Sequence, residues 1–271
     1  MPLISILTAA QGPTAQFLPD AITSVLQQSR ALTDGWELEY VIQEDGADPV
    51  LQDLAAQDKR IRYSANDGQL GVATTRNIAL SRVKGELVQM LDHDDLLLPG
   101  ALATIIPRFL DLPIHWAIGQ ADDLLPDGSR KAYPAAIPFG LLPACSVNDW
   151  ARDHDGNWPV HCAALMARTS TVRALGGWGA TPSDDDIHIF TALFELTSGY
   201  HESAFTWLYR QHPQQAHRTD EWSSRSHDGR RIALQRLIAL RAVGLALRNN
   251  EPLHPHTLAE ETIFVSPALK C

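Results

Sequence analysis

Short apolar runs alternate with stretches of helical periodicity along the first hundred residues. Ile4 to Leu7 is a β-rich run, broken by the small residues Thr8-Ala9-Ala10-Gln11-Gly12-Pro13. Phe17, Leu18, Ala21, Ile22, Val25 and Leu26 then recur at helical spacing. Trp36 to Ile42 predicts a second strand, ending in Glu44-Asp45-Gly46-Ala47-Asp48-Pro49. Val50 to Asp58 predicts a helix, Arg60 to Tyr63 a third strand, and Val72 to about Val83 a further helix. That helix leads into Glu86-Leu87-Val88-Gln89-Met90-Leu91, an apolar run of strand length that stops at Asp92-His93-Asp94-Asp95. Strand–helix alternation with short connections implies an α/β fold: a mostly parallel sheet with helices on both faces.

The second half is less regular. Pro99 to Leu110 reads as a helix, His115 to Leu124 as a strand, and Pro126-Asp127-Gly128 as a hairpin-like turn. Pro134 to Trp158 is rich in Pro, Gly and polar residues and reads as loops. His161 to Met166 predicts a strand, and Thr169 to Leu175 a short helix stopped by Gly176-Gly177. After Pro182-Ser183-Asp184-Asp185-Asp186 comes an apolar helix from Ile187 to Leu196. Phe205 to Tyr209 is strand-like, and His217 to Ser226 reads as a mobile loop. Arg230 to Arg248 predicts a helix on which Arg230, Arg241 and Arg248 fall in one stripe, read as a solvated face or as a surface for lipid or phosphate. The tail from Glu251 to Cys271 reads as an extended arm packed on this subunit or another, which would make a homodimer.

The chain has 271 residues, enough for one large α/β domain or two small ones. Its net charge of −10 argues against a nucleic-acid partner but suits a cation in an acidic pocket. Three cysteines without Cys-x-x-Cys spacing suggest neither a disulfide framework nor a thiolate zinc site, and point to a reducing cytoplasm. No apolar run reaches membrane-spanning length, and the amino terminus lacks the pattern of a signal peptide.

The chemistry concentrates in the acidic turns. Side chains alternate along a strand, so Asp92 and Asp94 share a side if the strand persists that far. Two such carboxylates at a strand end suit a hard divalent cation, Mn²⁺ or Mg²⁺; the competing reading is a solvated turn before Pro99-Gly100. Ligands of open α/β sheets bind at the carboxyl ends of the strands, where Asp45 would join them. The acids at 184 to 186 also suit the amino terminus of the following helix as caps. No Gly-x-Gly-x-x-Gly or Walker loop is present.

Taken in order, these motifs resemble the family 2 glycosyltransferases. The opening Ile4 to Ala10 with Ala21 to Ser29 is similar to that family's first strand and helix, and Glu44-Asp45-Gly46-Ala47-Asp48 to its acidic turn. Gly71-Val72-Ala73-Thr74-Thr75-Arg76-Asn77 with Lys84-Gly85-Glu86 resembles its Gly-x-x-x-x-Arg-Asn helix and following Gly-Glu. Leu91-Asp92-His93-Asp94-Asp95 matches its Leu-Asp-x-Asp-Asp motif. Leu175-Gly176-Gly177-Trp178, the acids at 184 and 185, and Tyr209-Arg210-Gln211-His212 resemble its later segments. The resemblance runs from about Leu3 to His212. It departs at Thr8-Ala9-Ala10-Gln11, where the family has Pro-Thr-Tyr-Asn, and at Ser183-Asp184-Asp185, where it has Glu-Asp.

The resemblance implies a GT-A fold, Rossmann-like, in a single domain. Residues 1–98 would form a nucleotide-sugar-binding half, 99–215 an acceptor-binding half, and 216–271 a C-terminal extension. It implies an inverting hexosyl-type transfer from a nucleotide-diphosphate sugar to a hydroxyl of a small-molecule or saccharide acceptor. Thr8, Ala9, Asp45, Arg76, Asp92, His93 and Asp94 would line the donor site. Asp45 would accept from a pyrimidine N–H, which favours uracil. Asp94, Asp92 and His212 would hold Mn²⁺ or Mg²⁺, and Arg76 would brace the carboxylates or approach the donor. Asp185 or Asp184 would be the general base. Trp150, Trp158, Trp178 and Trp222 are candidates for stacking on a sugar at the acceptor side. Two readings compete: a non-catalytic sugar-nucleotide-binding protein, and a pyrophosphorylase-like nucleotidyltransferase. The latter would want a Gly-rich, basic loop after the first strand, and Thr8 to Pro13 has no basic residue.

Overall fold

The computed structural model describes residues 1–247 and 251–253. The predicted alternation becomes one ten-stranded sheet. Its strands are β1 (Leu3–Ala10), β2 (Glu37–Glu44), β3 (Ile61–Ala65), β4 (Leu87–Met90), β5 (Leu96–Leu97), β6 (Trp116–Leu124), β7 (Arg130–Ala132), β8 (Gly140–Leu142), β9 (Leu165–Arg168) and β10 (Gly199–Arg210). They run in the order β3-β2-β1-β4-β9-β6-β10-β5, with β7 added to β6 and β8 to β10. β1 to β4 pair in parallel, as do β6 and β10, while β9 lies antiparallel between β4 and β6. The helices are α1 (Leu18–Gln28), α2 (Gln52–Ala55), α3 (Val72–Arg82), α4 (Ala101–Asp111), α5 (Ser146–Asp153), α6 (Thr169–Ala174), α7 (Asp185–Leu196) and α8 (Asp220–Val243).

β1 is central among the parallel strands β1 to β4 because it can be buried on both faces. Ile4, Ile6 and Leu7 are fully enclosed, which is why the strand reads as a continuous apolar run. Its register pairs Leu7 with Met90 of β4, and Leu91 N–H still donates to Leu7 C=O at 3.0 Å. The next residue, Asp92, is the first to leave the sheet. The acidic motif thus stands at the carboxyl edge of the most deeply enclosed strand pair. On α1 the periodic residues Leu18, Ile22 and Val25 are the buried ones. Each contributes about 1.5–3 kcal/mol through burial.

The structure differs from the sequence reading in the polar segments. α2 is a single turn, because the buried Glu44 carboxylate accepts from Val50 N–H and Leu51 N–H and holds the preceding residues out of a helix. Residues 134–158 contain β8 and α5. α5 is a short helix with its own apolar stripe, Val147, Trp150 and Ala151, and Asn148 ties it down further, its amide donating to Thr191 C=O and to Glu195. Residues 161–166 begin as a 3₁₀ turn, Cys162–Ala164, before β9. Residues 217–226 are no loop: a 3₁₀ turn at Ala216–Arg218 leads straight into α8, capped by Thr219 Oγ1 accepting from Trp222 N–H. The arginine stripe also turns inward. Arg241 forms ion pairs with Glu195 and Asp149, and Arg230 faces Asp184. Arg248, Cys271 and most of the tail lie outside the described residues. Cys145 and Cys162 are free thiols. Among the described residues, no helix is long and apolar enough to cross a membrane.

Candidate active site

A cavity of about 730 Å³ opens along the carboxyl ends of the strands. Its walls come from Ala9 and Ala10 of β1, Asp45 after β2, Asp92 to Asp94 after β4, Tyr209 and His212 at the end of β10, the acidic turn before α7, and Arg230 of α8. Every acidic motif singled out in the sequence reaches this one cavity.

Asp45 ties two loops together. Its Oδ1 accepts from Leu70 N–H at 2.7 Å and from the Asn66 amide at 3.0 Å, and its Oδ2 accepts from Gly71 N–H at 3.0 Å. The carboxylate therefore shapes the entrance to α3 as well as facing the cavity.

Arg76 is the hub. It is buried, and because a guanidinium stays charged there, its burial must be offset by paired carboxylates. Nη2 donates to Asp92 Oδ1 and Nη1 to Asp185 Oδ2, both at 2.7 Å. One side chain thus joins the strand-end motif to the acidic turn 109 residues away in sequence. The next residue, Asn77, fixes the approach to that turn. Its amide donates to Trp178 C=O at 2.7 Å, and its Oδ1 accepts from Trp178 N–H at 3.0 Å. Gly177 makes this clamp possible: it sits at φ +67°, and a Cβ there would lie 2.1 Å from Asn77 Oδ1.

Asp94 and His212 form the second pair, with Nε2 at 2.8 Å from Oδ2. The His212 ring is buried against Phe17, with centroids 4.5 Å apart. Arg210 holds the turn from behind, donating from Nε to Asp94 C=O and from its backbone N–H to Asp95 Oδ1. Asp95 is enclosed; burial first, then Asp94 and Asp92, pushes its carboxyl well above the usual range. His93 lines the cavity and bonds Thr14 Oγ1 through Nε2. Thr8 does not reach the wall. It is fully buried, with its hydroxyl bonded to Tyr40 Oη and Leu91 C=O, so its place among the donor-binding residues is withdrawn. The neighbouring Ala9 does line the cavity.

Among the described residues, no three His, Cys, Asp or Glu side chains stand together as a metal-holding group. Asp92, expected beside Asp94 and His212, has one oxygen engaged by Arg76. The Asp94–His212 pair still fits a hard cation. Two cis ligands with bonds of about 2.1 Å lie about 3 Å apart, close to the separation seen here. Mg²⁺-like ions take one or two protein carboxylates and complete their shell with phosphate and water.

The acidic turn separates its three carboxylates. Asp185 is engaged by Arg76. Asp184 stands at the N-cap position of α7 at φ +53° without a side-chain capping hydrogen bond, its Oδ2 buried and 3.7 Å from Arg230 Nε; neither atom has a hydrogen-bond partner. Burial raises the Asp184 carboxyl to about 6 against the opposing pull of Arg230. Burial, then the charge of Asp185, raises Asp186 to about 7. Asp186 and Arg230 were not among the residues expected here. Asp186 was visible as the third acid of the run, whereas Arg230 was read only as part of the outward stripe. Of the four tryptophans, Trp158 and Trp222 line the cavity. Trp178 is buried, and Trp150 stacks on His154 at 3.7 Å, so neither presents a sugar-binding face to the cavity.

A family model described as "Glycosyl transferase family 2" matches residues 5–155, more than half of the chain. The chain belongs to glycosyl transferase family 2. The family match ends before the acidic turn, so the residues from 156 onward complete the cavity from outside the matched region. Among relatives, the uncharacterized protein y4gI of Sinorhizobium fredii is 35% identical over 65% of this chain and 18% of its own length. The GalNAc(5)-diNAcBac-PP-undecaprenol beta-1,3-glucosyltransferase of Campylobacter jejuni is 32% identical over 40% of this chain and 35% of its own. The chain therefore matches well under half of each of these family relatives. The fold is that of S. aureus TarS 1-349, solved in complex with UDP-GlcNAc: TM-score 0.61, 15% identity, covering 79% of this chain and 60% of that one. This agrees with the GT-A architecture expected from the sequence.

Proposed function

We propose that the chain is a glycosyltransferase that moves a sugar from a nucleoside-diphosphate donor, a UDP-sugar by preference, to an acceptor hydroxyl. The observation that carries this reading is Arg76, which draws Asp92 of the strand-end motif and Asp185 of the acidic turn into one cavity. A binding protein has no need for a second cluster of carboxylates facing the first. The solved UDP-GlcNAc complex of TarS, together with the family membership, favours a uridine nucleotide.

In this reading the nucleoside lies over Ala9, Ala10 and Asp45, and the diphosphate meets Asp92 and Asp94. Mn²⁺ or Mg²⁺, held by Asp94 and His212 with Asp92 beside them, would offset the charge on the departing diphosphate. The acceptor oxygen attacks the anomeric carbon from the face opposite the diphosphate and its proton passes to a carboxylate. As that bond forms, the anomeric C–O bond to the β-phosphate breaks and the diphosphate leaves with the electron pair. Asp184 is the carboxylate proposed for the proton. Asp185 Oδ2 is engaged by Arg76, whereas burial places Asp184 at about 6, close to the range a general base needs. Arg76 holds the two clusters at fixed separation and does not take part in proton transfer.

The test is release of nucleoside diphosphate from a panel of UDP-glucose, UDP-galactose and UDP-GlcNAc with Mn²⁺, with pooled saccharides as acceptors. Acceptor-stimulated release from one donor is expected. Tight donor binding with no release or transfer from any donor would favour a binding protein, and pyrophosphate-dependent formation of UTP would favour a nucleotidyltransferase.

A further inference from the structure

The donor reading leaves one part of the cavity unused. Tyr133, His161, Tyr209, His217 and Trp222 form a continuous run of aromatic rings on its wall. Tyr133 meets His161 edge-on at 5.3 Å, and His161 lies 4.9 Å from Tyr209. Tyr209 lies 6.4 Å from His217, which meets Trp222 edge-on at 6.3 Å. The rings come from five separate places in the chain: the segment after β7, the turn before β9, the end of β10, the 3₁₀ turn Ala216–Arg218 and the first turn of α8. Tyr209 packs partly against the core, whereas Tyr133 is 36% exposed, which core packing does not account for. Asp45 follows β2 and Tyr209 lies on β10, five strands apart in the sheet order, or roughly 24 Å at about 4.8 Å per strand. The aromatic wall is thus at the opposite end of the cavity from the nucleoside position, beyond Asp94.

We propose that this wall is an acceptor subsite for a pyranose ring, so that the acceptor is a saccharide or a glycoconjugate presenting one. This rests on the glycosyltransferase reading of the cavity. A pyranose has an apolar C–H face and a rim of hydroxyls, and the wall offers a surface for each. Ring faces supply the apolar contact. The polar tips stand at their edges: Tyr133 Oη shares a hydrogen bond with His161 Nε2 at 2.8 Å, and Tyr209 Oη with His217 Nδ1 at 3.3 Å. Burial lowers both imidazoles, which keeps them neutral and able to exchange hydrogen bonds with hydroxyls. The acids of the α7 turn line the same cavity. Of the larger aliphatic side chains, the segments that build this end give the cavity only Val160 and Ile187, too few to seat a long hydrocarbon chain. A flat aromatic aglycone would use the ring faces and leave the polar edges unanswered.

The proposal is tested by saturation-transfer NMR with methyl β-D-glucopyranoside, methyl N-acetyl-β-D-glucosaminide and methyl β-D-galactopyranoside, with phenol as a flat aromatic probe. Each is measured with and without UDP and Mn²⁺. At least one pyranoside is expected to show transfer to its ring C–H protons. That signal should fall at least threefold in Trp222→Ala and in Tyr133→Ala, and persist in Trp222→Phe and Tyr133→Phe. Absence of transfer to every pyranoside, preference for phenol alone, or an equal signal in the alanine variants would overturn it. UDP binding is read in the same samples. In the unmodified protein, UDP binding without transfer to any pyranoside rejects the subsite, whereas pyranoside transfer without UDP binding rejects the donor site.

Discussion

Arg76 is the residue whose removal should be felt most widely. It is buried between two carboxylates, and breaking a buried pair from one side costs about 3–5 kcal/mol because the remaining charges lose their partner. Arg76→Met should lower the urea midpoint accordingly, and Asp185→Asn should lower it less, since Asp92 still neutralises the guanidinium. Asp184→Asn should leave UDP binding intact and reduce transfer by about 10²–10⁴-fold, the usual contribution of a positioned base. Asp94→Ala should abolish the Mn²⁺-dependent part of UDP binding. Equal loss of UDP binding in both variants would contradict the division of roles. The acidic residues were legible because their chemistry is compressed into contiguous motifs. Arg230, Tyr133 and His161 were not: Arg230 and His161 were read only as parts of a helix stripe and a strand, Tyr133 follows a turn, and only the folded sheet brings them together. Thr8 was expected at the donor site only through the family resemblance, and its hydroxyl is buried against Leu91 and Tyr40.

At the scale of elements, α8 is the part that the sequence concealed and the cavity needs. Its first turns are polar, and polarity was read as loop, although Thr219 stands as a usable N-cap. α8 packs tightly on the acidic turn: a Cβ at Gly229 would lie 2.5 Å from Ser183 C=O. That contact carries Arg230 to Asp184. Arg230 lowers the Asp184 carboxyl, which burial raises to about 6, so Arg230→Met should move the acidic limb of the pH–activity profile to higher pH. The base must be ionised, so activity in the unmodified protein should fall as pH drops through about 6. Asp185 also faces Asp184 and raises it, so Asp185→Asn should shift the limb the other way. A limb unmoved in both variants would detach the profile from Asp184. The order of strands and helices in the first half was legible, because both faces of a parallel strand must be apolar, but the bounds were less so: β1 runs on to Ala10 through small residues read as a break, and α2 shrinks to Gln52–Ala55. α5 went unread because its stripe of Val147, Trp150 and Ala151 is confined to a short helix inside a polar segment.

For the molecule as a whole, the sheet order is what lets the proposed donor and acceptor positions share one cavity. The parallel strands β1, β2 and β4 present Asp45, Asp92 and Asp94 on one side, and beyond the reversal at β9 the end of β10 carries Tyr209 of the aromatic wall. In the proposed reading a cation would mediate between this acidic cavity and an anionic diphosphate, which suits a chain of net charge −10. The most direct measurement of the central claim is thermal unfolding with UDP, GDP, dTDP and CDP, each with and without Mn²⁺. A ligand that binds only the folded chain raises Tm, by about 2.7 kcal/mol of added stability at a hundred times its Kd. The account predicts a shift with UDP that requires Mn²⁺ and disappears in Asp94→Ala. No shift with any nucleotide, with or without the metal, would contradict it and leave the paired carboxylates as features that hold the fold alone.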